Sequence, residues 1–246
     1  MLNQILAIFS TLIISLVSLL GVVTLSVKPK KLQGVLIYLV SFAVGAMFGD
    51  AFIHLVPEAY GKLENKAPFY ILFGVLFFFV LEKLVKWHHC HKIDCKEHFR
   101  PVASMNLGGD GLHNLVDGLL IGATFLVGIP VGLSTALAVL AHEIPQEIGD
   151  FAILLHGGYS VKKALFYNFL SALTAMLGVL LSLLLGPVLK GYDVIVTAIT
   201  AGGFIYIAGS DLIPELHHEE SLKKAFKQLL AILLGIGAMF ALTFLE

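Results

Sequence analysis

The chain has 246 residues, of which 58% are hydrophobic and only 13% are charged, against ~25% charged residues in an average soluble domain. Its mean hydropathy is +0.91, and its formal net charge of -1 offers no basic surface for nucleic acid. These values exclude an ordinary soluble domain and a nucleic-acid-binding protein, and they predict a chain embedded in a lipid bilayer.

Eight apolar stretches follow one another along the chain, and each is close to the roughly 20 residues that a helix needs to cross the hydrocarbon core. They predict an all-α integral membrane protein of eight transmembrane helices in a single domain, residues 1–246. The first stretch has no basic leader and no cleavage site, which favours a retained helix over a signal peptide. The predicted spans, numbered 1 to 8, are residues 3–27, 34–57, 68–86, 106–128, 131–156, 163–189, 193–213 and 225–245.

The basic residues predict how these spans are oriented, because short loops rich in Lys and Arg stay in the cytosol. With the N-terminus outside, 13 of the 16 basic residues fall in inner loops, and only Lys62, Lys66 and Lys190 fall outside. We therefore expect a multi-pass protein of the cell membrane with both termini outside. Cys90 and Cys95 then share an inner loop, where free thiols or metal ligands are expected rather than a disulfide.

Spans 2 and 7 contain similar segments. GAMFGDAFIHLVPE, residues 45–58, and GGFIYIAGSDLIPE, residues 202–215, are identical at five of fourteen aligned positions. Chance similarity between two glycine-rich helices that end in Pro-Glu is the alternative. Because span 2 runs outward and span 7 inward, a true repeat is inverted and relates spans 1–3 to spans 6–8 around the central spans 4 and 5. Inverted repeats are typical of secondary transporters.

Spans 4 and 5 each place polar side chains near the middle of the membrane, where carboxylates are costly and mark an ion path or a reactive site. Residues three or four positions apart share a helical face, so each span has one polar stripe, and the two spans are expected to be antiparallel neighbours separated by Ile129 and Pro130. Imidazole, carboxylate and amide groups together favour zinc, iron, manganese or cadmium over calcium or magnesium. A lone His or Asn in a membrane helix is more often an interhelical tie. The candidate metal ligands are His113, Asn114, Asp117, His142, Glu143, Gln146 and Glu147.

Other polar residues are candidates for a secondary metal site or for the ion pathway, with helix ties or lysine pairing as the alternative. They are Asp50, His54, Asp150, Asp211, Glu215, His217 and His218.

A further group lies in the inner loop at 87–100, which could bind metal or simply be solvated, because its spacing matches no standard zinc motif. This group consists of His88, His89, Cys90, His91, Cys95 and His98.

At these motifs the sequence resembles the ZIP (ZRT/IRT-like) family of divalent metal transporters. The branch to which it is most similar has H-N-x-x-D-G in span 4 and H-E-x-P-H-E-x-G-D in span 5. These read here as HNLVDG, residues 113–118, and HEIPQEIGD, residues 142–150. The similarity extends through the segments of spans 2 and 7 and covers most of the chain.

The resemblance implies transport of zinc or another divalent transition metal toward the cytosol, with the metal as substrate, and no enzymatic activity or organic cofactor. It implies two metals between spans 4 and 5: one bound by His113, Asp117 and Gln146, with His142 as a further ligand, and a second bound by Asn114, Asp117, Glu143 and Gln146. The sequence departs from the family at Gln146, where that branch has a second histidine, and in span 6, which has no carboxylate. The expected partners are metal ions and the lipid bilayer, and a homodimer is left open.

Two other classes compete with a carrier. The run H-E-x-x-Q in span 5 is one residue short of the H-E-x-x-H signature of zinc proteases, in which Glu is the general base, so an intramembrane zinc-dependent hydrolase is the alternative function. Gln146 and Pro145 both weigh against it, because the second histidine ligand is missing and proline interrupts the helix. A metal-gated channel or sensor would use the same ligands as a carrier.

Overall fold

The fold comes from a computed structural model that describes residues 2–25, 29–87, 99–217 and 221–245. Those residues are almost entirely helical, and none of them lies in a β-strand, as the apolar stretches predict. The helices are α1 Leu2–Val17, α2 Gly21–Thr24, α3 Pro29–Asp50, α4 Val56–Leu63, α5 Ala67–Trp87, α6 Phe99–Val127, α7 Ile129–His156, α8 Val161–Ala172, α9 Thr174–Leu185, α10 Tyr192–Tyr206, α11 Ile213–Leu216 and α12 Leu222–Leu242.

The molecule is built as a multi-pass membrane protein. Five segments among the described residues are long and apolar enough to cross a bilayer: Leu2–Leu20, Gly34–Lys83, Val161–Leu185, Tyr192–Ser210 and Leu222–Leu242. Large apolar side chains face outward along these segments, while carboxylates and imidazoles lie inside the bundle. This distribution is the reverse of that in a water-soluble protein, and it suits a solvent of lipid.

The helices α6 and α7 lie at the centre of the bundle and are joined by Gly128 alone, with an extended backbone at φ 177° and ψ 160°. The sequence predicts a two-residue connection at Ile129 and Pro130, but both residues already belong to α7. Proline is accepted in the first turn of a helix because its missing N–H has no partner there. So short a connection makes α6 and α7 antiparallel neighbours, as predicted.

Glycines let α6 and α9 approach backbone to backbone. A Cβ atom on Gly118 would overlap the carbonyl oxygen of Ala175, and one on Gly178 would overlap that of Leu115. A Cβ atom on Gly122 would overlap the side chain of Ser182 and would also crowd the carbonyl oxygen of Val179. Gly118 and Gly122 are four residues apart, a spacing of small residues that lets membrane helices approach closely, and the helix they admit is α9.

Two further helix pairs, α3 with α12 and α5 with α10, are packed through glycines in matching positions. Gly45 faces the carbonyl oxygen of Ile232, and Gly235 faces that of Phe42. In the other pair, Gly202 faces the carbonyl oxygen of Ile71, and Gly74 faces that of Ile199. In all four places an added methyl group would overlap backbone, which cannot move aside as a side chain can.

Each of the similar segments in spans 2 and 7 contains one widened π-helical turn. Ala51–Leu55 links α3 to α4, and Ile207–Leu212 links α10 to α11. A proline follows each turn, Pro57 in one and Pro214 in the other. A proline ring clashes with the carbonyl four residues earlier, and the wider turn accommodates that defect. The helix therefore continues to Leu63 rather than ending near residue 57 as the sequence predicts.

Candidate metal site

Four side chains from the two central helices converge in the interior of the bundle. Those of His113 and Asp117 project from α6, one helical turn apart, and those of His142 and Glu143 project from α7. One ligand atom from each of the four lies within 4.8 Å of the other three. The i, i+4 spacing that predicts a shared face on α6 thus delivers two ligands, and the antiparallel neighbour delivers the other two.

The distances between these atoms match a four-coordinate metal. His142 Nε2 lies 3.1 Å from Asp117 Oδ2 and 3.3 Å from His113 Nε2. His113 Nε2 lies 3.6 Å from Asp117 Oδ2 and 3.7 Å from Glu143 Oε1, and His142 Nε2 lies 3.6 Å from Glu143 Oε1. Two ligands bound to zinc at about 2.0–2.1 Å in a tetrahedron are separated by roughly 3.3 Å. The four donor atoms are therefore spaced for a single ion among them.

A backbone carbonyl contacts the imidazole ring of His142 on the side away from the other ligands' nearest nitrogen, Nε2. The Nδ1 atom of this ring lies 3.1 Å from the carbonyl oxygen of Ala138, one turn earlier in α7. In a neutral ring whose Nδ1 donates to that carbonyl, Nε2 keeps its lone pair for a metal ion bound by the other three ligands. A histidine held in this way by its second nitrogen is the usual arrangement for a metal ligand.

The site carries negative charge without a fixed positive partner. Asp117 and Glu143 are each 1% exposed, and the sequence has no Lys or Arg between residues 101 and 160. Among the described residues, Asp117 Oδ1 and both Glu143 oxygens have no hydrogen-bond partner. Two buried carboxylates are stable only when protons or a cation balance them, and one divalent ion balances both.

Asn114 and Gln146, both predicted ligands, contact a residue outside the predicted set. Asn114 Nδ2 donates to Asp110 Oδ1 at 3.0 Å, and Gln146 Nε2 donates to the same oxygen at 3.2 Å. Asp110 is 5% exposed. Its position four residues before Asn114 is the sequence signal that could have added it to the candidates, because i, i+4 residues share a face.

Glu147, the last of the predicted ligands, is tied to α8. Its Oε2 accepts a hydrogen bond of 2.6 Å from Asn168 Nδ2, and the same amide lies 3.2 Å from the carbonyl oxygen of Ser18. Glu147 is completely buried. Within the described residues this contact gives the Glu147 carboxylate a structural partner that the spacing of span 5 does not predict.

The secondary candidates are spread over several elements. Asp50 accepts a hydrogen bond of 3.1 Å from Thr135 Oγ1 on α7, and His54 Nε2 lies 3.0 Å from the carbonyl oxygen of Met239 on α12. Asp150 is buried near the end of α7, and His217 is exposed after α11. Asp211 belongs to the second π-helical turn and Glu215 to α11. His218 and the loop residues His88, His89, Cys90, His91, Cys95 and His98 lie outside the described residues.

A cavity of about 290 Å³ lies beside the first π-helical turn, at the end of the α6–α7 hairpin where Gly128 connects the two helices. It joins polar and apolar side chains from that turn, from α4 and from the first turn of α7, which places His54 next to open space. Its lining consists of Ile53, His54, Pro57, Glu58, Pro130 and Val131.

The fold and the site define a class: a multi-pass membrane protein with a buried His/Asp/Glu group that can hold a transition-metal ion. The family model described as "ZIP Zinc transporter" matches residues 2–101 and 88–243. The chain belongs to this family.

Three relatives from animals share long stretches of sequence with the chain. The Caenorhabditis elegans protein "Zinc transporter zipt-7.2" is 32% identical over 85% of this chain and 58% of its own length. The human proteins "Zinc transporter ZIP6" and "Zinc transporter ZIP10" are each 42% identical, over 59% and 54% of this chain and over 20% and 17% of their own lengths. The chain thus spans less than two thirds of these three relatives.

Proposed function

We propose that this chain transports divalent transition-metal ions, zinc first, across the membrane toward the cytosol through the group of His113, Asp117, His142 and Glu143. The observation that carries the proposal is the convergence of four donor atoms in the interior of the bundle, where the five distances that involve a histidine nitrogen are 3.1–3.7 Å. Family membership and relatives named as zinc transporters support the choice of zinc.

The same geometry suits an ion that has to leave again. Two imidazoles and two carboxylates bind zinc less firmly than a cysteine-rich structural site does. Iron, manganese and cadmium accept the same donors, so they are further candidate substrates. Asn114, Gln146 and Glu147 lie next to this group and remain our candidates for a second metal position or for relaying the ion onward, with Gln146 offering an amide oxygen where imidazole is usual.

We further propose eight membrane spans with both termini outside, in which spans 1–3 and 6–8 are inverted copies. The matching glycines of the two helix pairs support the repeat: Gly45 aligns with Gly202, and the residues that oppose them, Ile232 and Ile71, precede Gly235 and Gly74 by three positions in each case. The π-helical turns before Pro57 and Pro214 fall in the same aligned segments. An inverted repeat favours a carrier with alternating access over a channel.

We assign the secondary candidates and the inner loop at 87–100 to the path of the ion. His54 lines the cavity at the Gly128 end of the α6–α7 hairpin, which is the outer end in the proposed topology, and we assign His54 and Asp50 to the entrance. Asp150, Asp211, Glu215, His217 and His218 are assigned to the exit, and the His/Cys loop at 87–100 to receiving the metal on the inner side.

The hydrolase alternative finds no support in the comparisons. A zinc hydrolase needs a metal with an open position and a free general base, whereas here Glu143 belongs to the ligand group itself, and Gln146 contacts Asp110 instead of supplying the second histidine of H-E-x-x-H.

Transport can be measured with purified protein in liposomes that contain a zinc-sensitive dye. Zinc added outside should enter the vesicles, and Asp117→Ala should reduce the rate to that of empty liposomes, because Asp117 contacts both histidines of the site. Asp193→Ala, which removes a carboxylate from the first turn of α10, is the matched control and should leave uptake unchanged.

Uptake that survives both Asp117→Ala and Glu143→Ala would overturn the site. Cleavage of a peptide or lipid in detergent that requires Glu143 would favour the hydrolase. Flux that saturates at micromolar metal indicates a carrier, whereas flux that stays linear indicates a channel, and competition among zinc, cadmium, iron and manganese ranks the substrates.

A further inference from the structure

We propose that Asp110 is a positioning residue of the metal path: it turns the amides of Asn114 and Gln146 so that their carbonyl oxygens are presented to the cation. The inference rests on the proposed transport function, because it gives those two amides a ligand role. Asp110 itself is not in the group of four converging ligands, and neither the spacing of the motifs nor the family resemblance assigns it a role.

One oxygen of Asp110 holds two amides from different helices. Asn114 lies one turn further along α6 than Asp110, and Gln146 lies on α7, yet both donate to Asp110 Oδ1, at 3.0 and 3.2 Å. Asn114 also lies 3.2 Å from the backbone oxygen of Asp110. Asp110 and Asn114 are both buried, so the contact between them is protected from competition with water, while Gln146 is partly buried.

The chemistry of a carboxylate decides which end of each amide it binds. An ionised carboxylate only accepts hydrogen bonds, whereas an amide offers two N–H donors at one end and a carbonyl acceptor at the other. Asp110 therefore attracts the nitrogen end of Asn114 and of Gln146. Because an amide is planar and its two ends diverge, the carbonyl oxygens then point away from Asp110 and are the atoms left to meet a cation.

The orientation of the side chain at position 146 matters more for a glutamine than it would for a histidine. An imidazole offers a lone pair from whichever ring nitrogen faces the metal, but an amide presents a cation with either an oxygen that binds or an N–H group that repels. The glutamine of this chain therefore needs a partner that fixes its rotation. A carboxylate within reach of both amides does so with a single group, in the manner of the outer residues that orient metal ligands.

The alternative is that Asp110 only ties α6 to α7. The two roles differ in what they change. If Asp110 only links the two helices, its loss reduces the amount of folded, active protein and therefore the maximal rate of uptake. A lost orienting group weakens metal binding in the molecules that do fold, so it raises the metal concentration at half-maximal uptake. This effect is smaller once residue 146 is no longer a glutamine, because only Asn114 is then left to orient.

A double-mutant cycle in the full-length protein separates these roles. Zinc and cadmium uptake into liposomes is measured for wild type, Asp110→Ala, Gln146→Ala and the double variant, and thermal unfolding in detergent is measured for each. We expect Asp110→Ala to raise the half-maximal zinc concentration roughly tenfold, as outer-shell substitutions at metal sites do. The effect should be clearly smaller in the Gln146→Ala background, where only Asn114 remains to be oriented.

Equal effects of Asp110→Ala in the two backgrounds, or a lower maximal rate with an unchanged half-maximal concentration, would overturn the inference. If Asp110→Ala does not fold, Asp110→Asn takes its place in the same cycle. Its amide has nearly the same size but can donate as well as accept, so it should leave Gln146 free to turn and raise the half-maximal concentration. A wild-type protein that admits no metal contradicts the proposed function instead.

Discussion

At the scale of the residue, helical spacing predicts which side chains share a face, but not which atoms of neighbouring helices meet. The spacing places His113 with Asp117, and the structure brings both into one ligand group with His142. The fourth member is Glu143, while Gln146 contacts Asp110. His142 and Gln146 share a face of α7 because they are four residues apart, so the way in which α7 packs against α6 decides which of the two reaches the shared site.

Gln146→His is expected to tighten zinc binding. Imidazole is a stronger ligand for zinc than an amide oxygen, so the half-maximal zinc concentration should fall several-fold at neutral pH. This improvement in zinc affinity should disappear as the pH is lowered, because a protonated imidazole cannot bind metal, whereas the amide does not titrate. Liposome uptake measured at several pH values checks both effects.

A matched control for this substitution is Gln4→His, which places the same new imidazole on the exposed side of α1, away from the metal group. It should change neither the half-maximal concentration nor its pH dependence. If the two variants behave alike, the added histidine acts through the protein's general properties, and position 146 has no contact with the metal.

At the scale of the element, apolar length predicts the helices well and their interruptions poorly. The predicted start of span 6 lies within two residues of α8, and the predicted ends of spans 3 and 5 lie within one residue of α5 and α7. The two π-helical turns were not predicted, because the proline that follows each turn normally signals an end of the helix. Packing against neighbouring helices keeps the chain helical despite the backbone hydrogen bond that the proline removes. Such packing depends on the fold rather than on the local sequence.

Two glycines of α12 give a direct test of the close helix pairs. Gly235→Ala should destabilise the protein by about 1–3 kcal/mol, as overpacking does, because its methyl group would overlap the carbonyl oxygen of Phe42. Gly237→Ala, two residues further along the same helix, has open space at the new methyl group. It should be neutral or slightly stabilising, since alanine favours helix.

Thermal unfolding in detergent, followed by loss of helical signal, measures both variants. A lower unfolding temperature for Gly235→Ala with little change for Gly237→Ala is the expected pattern. Equal unfolding temperatures would mean that α3 and α12 can separate without cost, which contradicts their backbone contact.

At the scale of the whole molecule, composition predicts the membrane and the charge bias predicts the orientation, but neither predicts which helices pair. The pairs of α3 with α12, α5 with α10 and α6 with α9 join segments that lie far apart in sequence. Their signal is the position of single glycines, and a glycine in a membrane helix can equally mark a kink or a lipid-facing site. Only the three-dimensional arrangement identifies the partner that each glycine admits.

The orientation itself is open to a labelling test, and the two ends of the α8–α9 segment provide the sites. Ser160 precedes α8, Lys190 follows α9, and both are exposed. In a background with Cys90→Ser and Cys95→Ser, Lys190→Cys should react with a membrane-impermeant maleimide in intact cells. Ser160→Cys should react only after the membrane is opened, because the lysines that follow it, Lys162 and Lys163, favour the cytosolic side.

The reverse labelling pattern would place both termini inside and would turn the proposed direction of transport around, since the entrance beside His54 would then face the cytosol. Labelling of both cysteines in intact cells would contradict the membrane span between them. The positions are matched, because each lies at an exposed end of the same apolar segment, Val161–Leu185. A difference in labelling therefore reports the side of the membrane rather than the accessibility of the side chain.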